Sequence, residues 1–304
     1  MQYNKVPKTD LSVSKVCLGS MTFGTPVAFD DAVKLVEYAV SQGINFIDTA
    51  NMYEGYARYA GSSGGVAEEI IGKATKSCRK DVVIATKLGM KVGPNPEDEF
   101  TSPAAIKKHL DLSLGRLCTD YIDVYYLHKP DPATPVADTL GALADAIKAG
   151  KIRYYGVSNY SGAELKNLVK IADENGLPRP VMCQPPLSLL KTDSLDEIIP
   201  FCAEEEIGVV PYQVLQGGVL TGKYKKGQPA PAGSRKAEKP DWVADLDDAT
   251  WAKLAEIENA AAAAGMTMTQ YAINWASSQP GVVSAIVGVK RNAQIDDMVV
   301  AGSR

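Results

Sequence analysis

Three apolar runs of this chain end in an ionisable residue, and those three residues, with one tyrosine, form a possible proton-transfer set. Asp48 closes Phe46-Ile47-Asp48, Lys87 closes Ile84-Ala85-Thr86-Lys87, and His128 closes Tyr125-Tyr126-Leu127-His128. Tyr53 follows shortly after Asp48. An apolar strand ending in a charge is unfavourable unless the charge is paired or used. Alone, each residue has an ordinary explanation: an aspartate that forms a turn, a lysine that is solvated. Together they suit carbonyl chemistry. A tyrosine of ordinary pKa, near ~10, is a poor acid at neutral pH. A neighbouring ammonium lowers that value. Lys87 can act so on Tyr53, Asp48 can hold Lys87 charged and oriented, and His128 can hydrogen-bond a substrate oxygen. Tyr53 is then a general acid tuned toward working pH.

No cluster of metal-ligand type is expected, and hydride from a bound nicotinamide is the natural electron source. A second chemical feature lies near the end of the chain, in Gly288-Val289-Lys290-Arg291-Asn292. Two adjacent cations just before a helix start make a small anion site, because the helix end offers free N–H groups and a favourable dipole. The other histidine, His109 in Lys107-Lys108-His109, is expected at the surface.

The elements that must position these residues alternate regularly. After a hairpin around Lys5–Val13, strand-like runs are expected at Val16–Met21, Asn45–Thr49, Val82–Thr86, Ile122–Leu127, Arg153–Val157, Val181–Gln184, Gly208–Tyr212 and Ser284–Gly288. Amphipathic windows separate them, at Asp31–Gln42, Val66–Lys76, Pro103–Leu117, Val136–Ala149, Gly162–Asn175, Asp196–Glu206, Thr250–Ala264 and Asn292–Val300. Ala32, Leu35, Val36, Ala39 and Val40 show the helical spacing that buries one face. Eight strand–helix units predict an α/β protein, a (β/α)8 TIM barrel with a short N-terminal β-hairpin. A doubly wound sheet would carry G-x-G-x-x-G after its first strand. The segment there reads Gly19-Ser20-Met21-Thr22-Phe23-Gly24 instead. Three long segments break the rhythm: Glu54–Gly65, Gly89–Ser102 and Gln216–Leu246. All follow strand C-termini, the active face of a barrel, and read as long loops covering a substrate.

Composition narrows the function class. The 304 residues fit one barrel domain, 1–304, and 45% apolar with 22% charged residues is ordinary for a globular protein with a full core. A net charge of −4 argues against nucleic acid as the main partner. Met1–Ser20 lacks the apolar run of a secretory signal, and no run is long enough to span a membrane. The five cysteines, Cys17, Cys78, Cys118, Cys183 and Cys202, are scattered and without a C-x-x-C pair. They read as reduced thiols of a cytoplasmic protein.

With Asp48, Tyr53, Lys87 and His128 in that order at strand ends, the chain resembles the aldo-keto reductase superfamily. The likeness runs from Leu18-Gly19-Ser20-Met21-Thr22-Phe23-Gly24 to Gln294-Ile295. It implies a catalytic tetrad of Asp48, Tyr53, Lys87 and His128, reducing an aldehyde or ketone with Tyr53 as acid. It implies that Ser158, Asn159 and Gln184 hold the nicotinamide carboxamide and that Tyr212 stacks on the ring. Gln213, Leu215, Gly217 and Gly288 would add cofactor contacts. Lys290, Arg291 and Gln294 would bind an adenosine 2′-phosphate, which favours NADPH/NADP+, with Asp297 on the adenine. Met21, Phe23 and Met90 are expected at a mostly apolar substrate mouth. The sequence departs from the family pattern at Gln213-Val214-Leu215, at Pro185-Pro186-Leu187 and at Met298.

Two other readings stand beside this one. Lys87 could form a Schiff base in a barrel aldolase, which needs a lysine of lowered pKa. The chain could also be a cofactor-binding, redox-sensing regulatory subunit of the same fold.

Overall fold

A computed structural model describes residues 1–59 and 61–304. The chain begins with an antiparallel hairpin, β1 (Tyr3–Lys5) and β2 (Ser12–Ser14). Alternation follows: β3 (Val16–Gly19), α1 (Phe29–Ser41), β4 (Phe46–Asp48), α2 (Val66–Thr75), β5 (Val83–Leu88), α3 (Pro103–Leu117), β6 (Ile122–Leu127) and α4 (Val136–Lys148). Then come β7 (Ile152–Ser158), α5 (Gly162–Glu174), β8 (Met182–Gln184), α6 (Ile198–Glu204) and β9 (Gly208–Val209). The last part holds α7 (Arg235–Glu238), α8 (Asp248–Ala263), α9 (Met268–Ser277), β10 (Ala285–Gly288) and α10 (Asn292–Gly302).

Strands β3 to β9 pair in parallel in sequence order, and β10 lies against β3. The circle closes between β9 and the approach to β10. Val209 N donates to Gly281 O, Val283 N to Val209 O and Ile286 N to Pro211 O, each at 2.9 Å. The fold is a (β/α)8 barrel.

Strand parity decides what faces inward, because successive side chains alternate between the two faces. Cys17, Phe46, Val83, Ala85, Val124, Tyr126, Met182 and Val210 fill the barrel interior, with Val6, Leu11 and Val13 of the hairpin plugging its floor. The other parity, Leu18, Ile47, Ile84, Tyr125, Leu127 and Cys183, packs outward under the helices. One pair of residues further along the inward series come Asp48 after Phe46, Lys87 after Ala85, His128 after Tyr126 and Gln184 after Met182. The register that buries the apolar core therefore lifts these polar groups to the C-terminal rim. Gly156 helps: a Cβ there would stand 2.5 Å from Tyr126 Cε1, so only glycine leaves room for that ring.

The helices bury the faces their spacing predicts; α1 buries Ala32, Leu35, Val36 and Ala39. Three expectations differ from the structure. The run expected at Gly208–Tyr212 is a strand only over Gly208–Val209, since Pro211 has no N–H to continue the ladder. Helix α9 was not foreseen, although Thr267 and Gln270 form a capping box at its start. His109 is not a surface residue: it is 4% exposed, and its Nε2 lies 3.0 Å from Glu97 O. It sits on the inner side of α3 and pins the Gly89–Ser102 segment to that helix. Among the described residues, no helix is long and apolar enough to cross a membrane. Among them, too, no group of three His, Cys, Asp or Glu residues is placed to hold a metal ion.

Candidate active site

A cleft opens at the C-terminal rim of the barrel, with Asp48, Tyr53, Lys87 and His128 in its wall. Lys87 is 2% exposed and Asp48 3% exposed, so neither charge is solvated in the ordinary way. Each is satisfied by the other. Lys87 Nζ donates to Asp48 Oδ1 at 2.5 Å and to Thr49 O at 2.8 Å. Its third donor points to Tyr53 Oη at 3.4 Å. The His128 ring meets Tyr53 edge-on, with centroids 6.0 Å apart and planes at 82°.

The electrostatics sharpen one expectation and correct another. Burial works against the Lys87 ammonium, but Asp48 and then Tyr53 outweigh it and hold the group above the usual lysine value. A lysine so held is a cation, not the free amine that a Schiff base requires. Tyr53 was expected below its ordinary value. Burial instead raises it, and the pull of Lys87 is too weak to reverse this, with Asp48 adding to the rise. Tyr53 is therefore a fully protonated phenol at neutral pH, with a cation beside it ready for the phenolate. Burial also pushes His128 well below the usual imidazole value, helped by Lys87, Arg58 and Lys129. The ring is neutral, with one N–H donor and one acceptor.

Beyond His128 a chain of hydrogen bonds crosses the barrel mouth. Asn159 Nδ2 donates to His128 O at 2.8 Å, and Tyr212 Oη donates to Asn159 Oδ1 at 2.6 Å. Ser158 Oγ donates to Gln184 O at 3.0 Å, and Gln184 Nε2 donates to Asp48 Oδ2 at 2.6 Å. Asn159 takes up a left-handed backbone, φ +60°, which asparagine tolerates better than most residues. These amides and Tyr212 line the cleft beside the tetrad.

The far end of the cleft is cationic. Lys290, Gln294, Lys223 and Arg235 line it. Burial and then the neighbouring charges of Lys290, Arg235 and Arg291 lower the pKa of Lys223, the mark of crowded cations. Gly218 holds a left-handed backbone, φ +94°, directly under the end of the Lys223 side chain. Gln294 Oε1 accepts from the Lys290 N–H at 2.7 Å and shapes the turn into α10. The donor chemistry thus suits a dinucleotide: amides at one end, cations and glycine-rich backbone at the other.

Of the residues singled out from the sequence, the cleft gathers Met21, Asp48, Tyr53, Lys87, His128, Ser158, Asn159, Gln184, Tyr212, Gln213, Leu215, Gly217, Gly288, Lys290 and Gln294. Four lie elsewhere. Phe23 is fully buried in the layer between sheet and helices. Met90 is half-buried away from the cleft wall. Arg291 is exposed at the N-cap of α10. Asp297 turns toward α9, where its Oδ1 accepts from Gln270 Nε2 at 2.8 Å. Sequence reasoning missed Tyr56, Lys223 and Arg235 in the wall. The available signal was the pairing of cations with glycines in Gln216–Leu246, read only as a cover.

A family model described as Aldo/keto reductase family matches residues 15–304. A probable voltage-gated potassium channel subunit beta of Oryza sativa is 35% identical, over 97% of this chain and 89% of its own length. The L-glyceraldehyde 3-phosphate reductase of Escherichia coli O157:H7 is 30% identical, over 99% of this chain and 87% of its own. The glycerol dehydrogenase of Gluconobacter oxydans superposes with a TM-score of 0.81 at 27% identity, covering 98% of this chain and 89% of that one. The chain belongs to the aldo/keto reductase family of oxidoreductases.

Proposed function

We propose that the whole chain, 1–304, is one cytoplasmic catalytic unit that reduces a small aldehyde or ketone to the alcohol with NADPH. The observation that carries this reading is the Asp48–Lys87–Tyr53 array, at 2.5 Å and 3.4 Å, with the His128 ring edge-on to Tyr53. A reduced nicotinamide would supply hydride to the carbonyl carbon. Tyr53 gives its proton to the carbonyl oxygen as charge develops there. A phenol kept neutral by burial has that proton to give, and Lys87 stabilises the phenolate left behind. Asp48 keeps Lys87 charged and aimed. His128 donates one hydrogen bond to the substrate oxygen and fixes the angle at which the carbonyl lies.

Ser158, Asn159 and Gln184 would hold the carboxamide, and Tyr212 would pack against the ring. Gln213, Leu215, Gly217 and Gly288 would line the pyrophosphate path, and Lys223 and Arg235 join Lys290 and Gln294 at the phosphate end. Substrate reaches the tetrad past Met21. The test is a panel of aldehydes and ketones with NADPH and NADH, followed by absorbance. Absence of turnover throughout the panel would defeat the reading.

The channel-subunit relatives favour a second reading, a redox-sensing subunit that binds the same cofactor and turns over little. An ordinary turnover number, above about 1 s⁻¹, counts against that alternative.

A further inference from the structure

The cationic end of the cleft has its own acid. Glu238 is the last residue of α7, and its carboxylate pairs with Lys290 Nζ. The same ammonium donates to Gly233 O at 3.0 Å. The Lys290 side chain is 25% exposed and that of Glu238 30%, so the pair lies at the rim of the cleft within reach of solvent. The charges of Lys290, Arg235 and Arg291 all bear on Lys223, and Glu238 is the carboxylate that opposes them there. The pair joins two parts of the chain 52 positions apart, the Gln216–Leu246 segment and the turn into α10.

We propose that Glu238 is an internal counter-ion of Lys290 and sets the balance between 2′-phosphorylated and unphosphorylated dinucleotides. This rests on the reading that a dinucleotide lies in the cleft with its adenosine end at Lys290. An ammonium has three donors. Gly233 O and Glu238 engage Lys290 from the side of α7. A 2′-phosphate reaching Lys290 must displace the carboxylate or share the ammonium with it. Either way a like charge remains close to the phosphate, and like charges in one site oppose each other. A ribose ending in a 2′-hydroxyl asks for no displacement. A carboxylate beside it is an acceptor for that hydroxyl, as acids serve NAD sites while cations serve the phosphate of NADP. The site therefore carries determinants for both cofactors, and Glu238 weighs against the phosphorylated one.

The experiment is calorimetric titration of the full chain with NADP+, NAD+, 2′-AMP and 5′-AMP, for wild type, Glu238→Gln, Lys290→Ala and the double variant. Glu238→Gln should tighten NADP+ and 2′-AMP by roughly tenfold, and leave NAD+ and 5′-AMP unchanged or weaker. In the Lys290→Ala background the gain for NADP+ should shrink to a small fraction of that. Equal shifts for the phosphorylated and unphosphorylated ligands would overturn the inference, as would weaker NADP+ binding, which would make the pair a latch that holds the segment closed. A wild-type chain that binds none of the four ligands would overturn the cleft reading and this inference with it.

Discussion

Replacing Lys87 by methionine tests the central argument, because it removes the cation and keeps the length of the side chain. Lys87 Nζ stands 3.4 Å from Tyr53 Oη. Unit charges at that separation interact by about 1 kcal/mol in water and by about 5 kcal/mol at an effective dielectric of ~20. Lys87 is 2% exposed, so the buried limit is the nearer one. A phenolate deprived of this partner should form more slowly, by between about tenfold and a few thousandfold at ~1.4 kcal/mol per decade. The assay is a single-turnover measurement of nicotinamide oxidation with saturating aldehyde. Cofactor dissociation constants should change little, since the ammonium serves the proton and not the dinucleotide.

The variant also strands Asp48, and breaking one side of a buried pair costs about 3–5 kcal/mol of stability. Asp48→Asn with Lys87→Met removes both charges and should melt closer to wild type than Lys87→Met alone. Its rate should remain as low as that of the single variant. A folded Lys87→Met chain that keeps turnover within threefold of wild type would refute the reasoning.

Other outcomes follow from the same geometry. Tyr53→Phe should abolish reduction and leave NADPH affinity nearly intact; wild-type turnover in that variant would remove Tyr53 from the role of acid. Lys290→Ala should weaken NADPH far more than NADH, measured as separate dissociation constants, whereas equal losses would dissociate Lys290 from the 2′-phosphate. Gly156→Ala places a Cβ against Tyr126 and should lower stability by about 1–3 kcal/mol through overpacking; a melting temperature equal to that of wild type would contradict the close approach. Burial lowers the pKa of both His109 and His128 in the folded chain, so the unfolded chain binds protons first as pH falls. The stability these groups contribute is complete above their unfolded value, near ~6.5, and declines below it by up to ~1.4 kcal/mol per pH unit per histidine. Denaturant titrations from pH 7.5 to 5 should show that decline, with a shallower slope in His109→Gln; identical slopes would locate the effect elsewhere.

The rhythm of strands and helices was legible because barrel strands are apolar on both faces, while the helices between them show one buried stripe. Ile122–Leu127 and Pro103–Leu117 fall where periodicity alone puts them. The register was legible too, once Asp48, Lys87 and His128 were seen at strand ends. What escaped was held by contacts distant in sequence. His109 reads as polar beside Lys107 and Lys108, yet Glu97 O lies twelve residues away in sequence and 3.0 Å away in space. Phe23 looks like a residue of the mouth because it follows a strand. Its side chain turns back to the core as the chain doubles over in the Phe23–Val27 bridge. Arg235 and Lys223 sit in a segment with no periodicity, and only folding brings them to Lys290.

The acid itself shows most clearly where reading residue types stops. Type and order alone suggest that an ammonium makes Tyr53 more acidic, and the pairing is present. Depth decides the sign. Tyr53 is half-buried in the cleft wall, where desolvation favours the neutral phenol despite Lys87, and the charge of Asp48 opposes the phenolate as well. The consequence is chemical. A tyrosine tuned to ionise near neutrality would stand deprotonated in a share of the molecules; one held neutral carries its proton in all of them until charge develops on the substrate oxygen. Lys87 then acts on the product of the transfer and not on the resting state. On this account alkaline pH should slow reduction only where the phenol or the ammonium titrates, both above their ordinary values. A reduction rate that falls through the histidine range as pH rises would place the acid on an imidazole, and the whole assignment of roles would have to be redrawn.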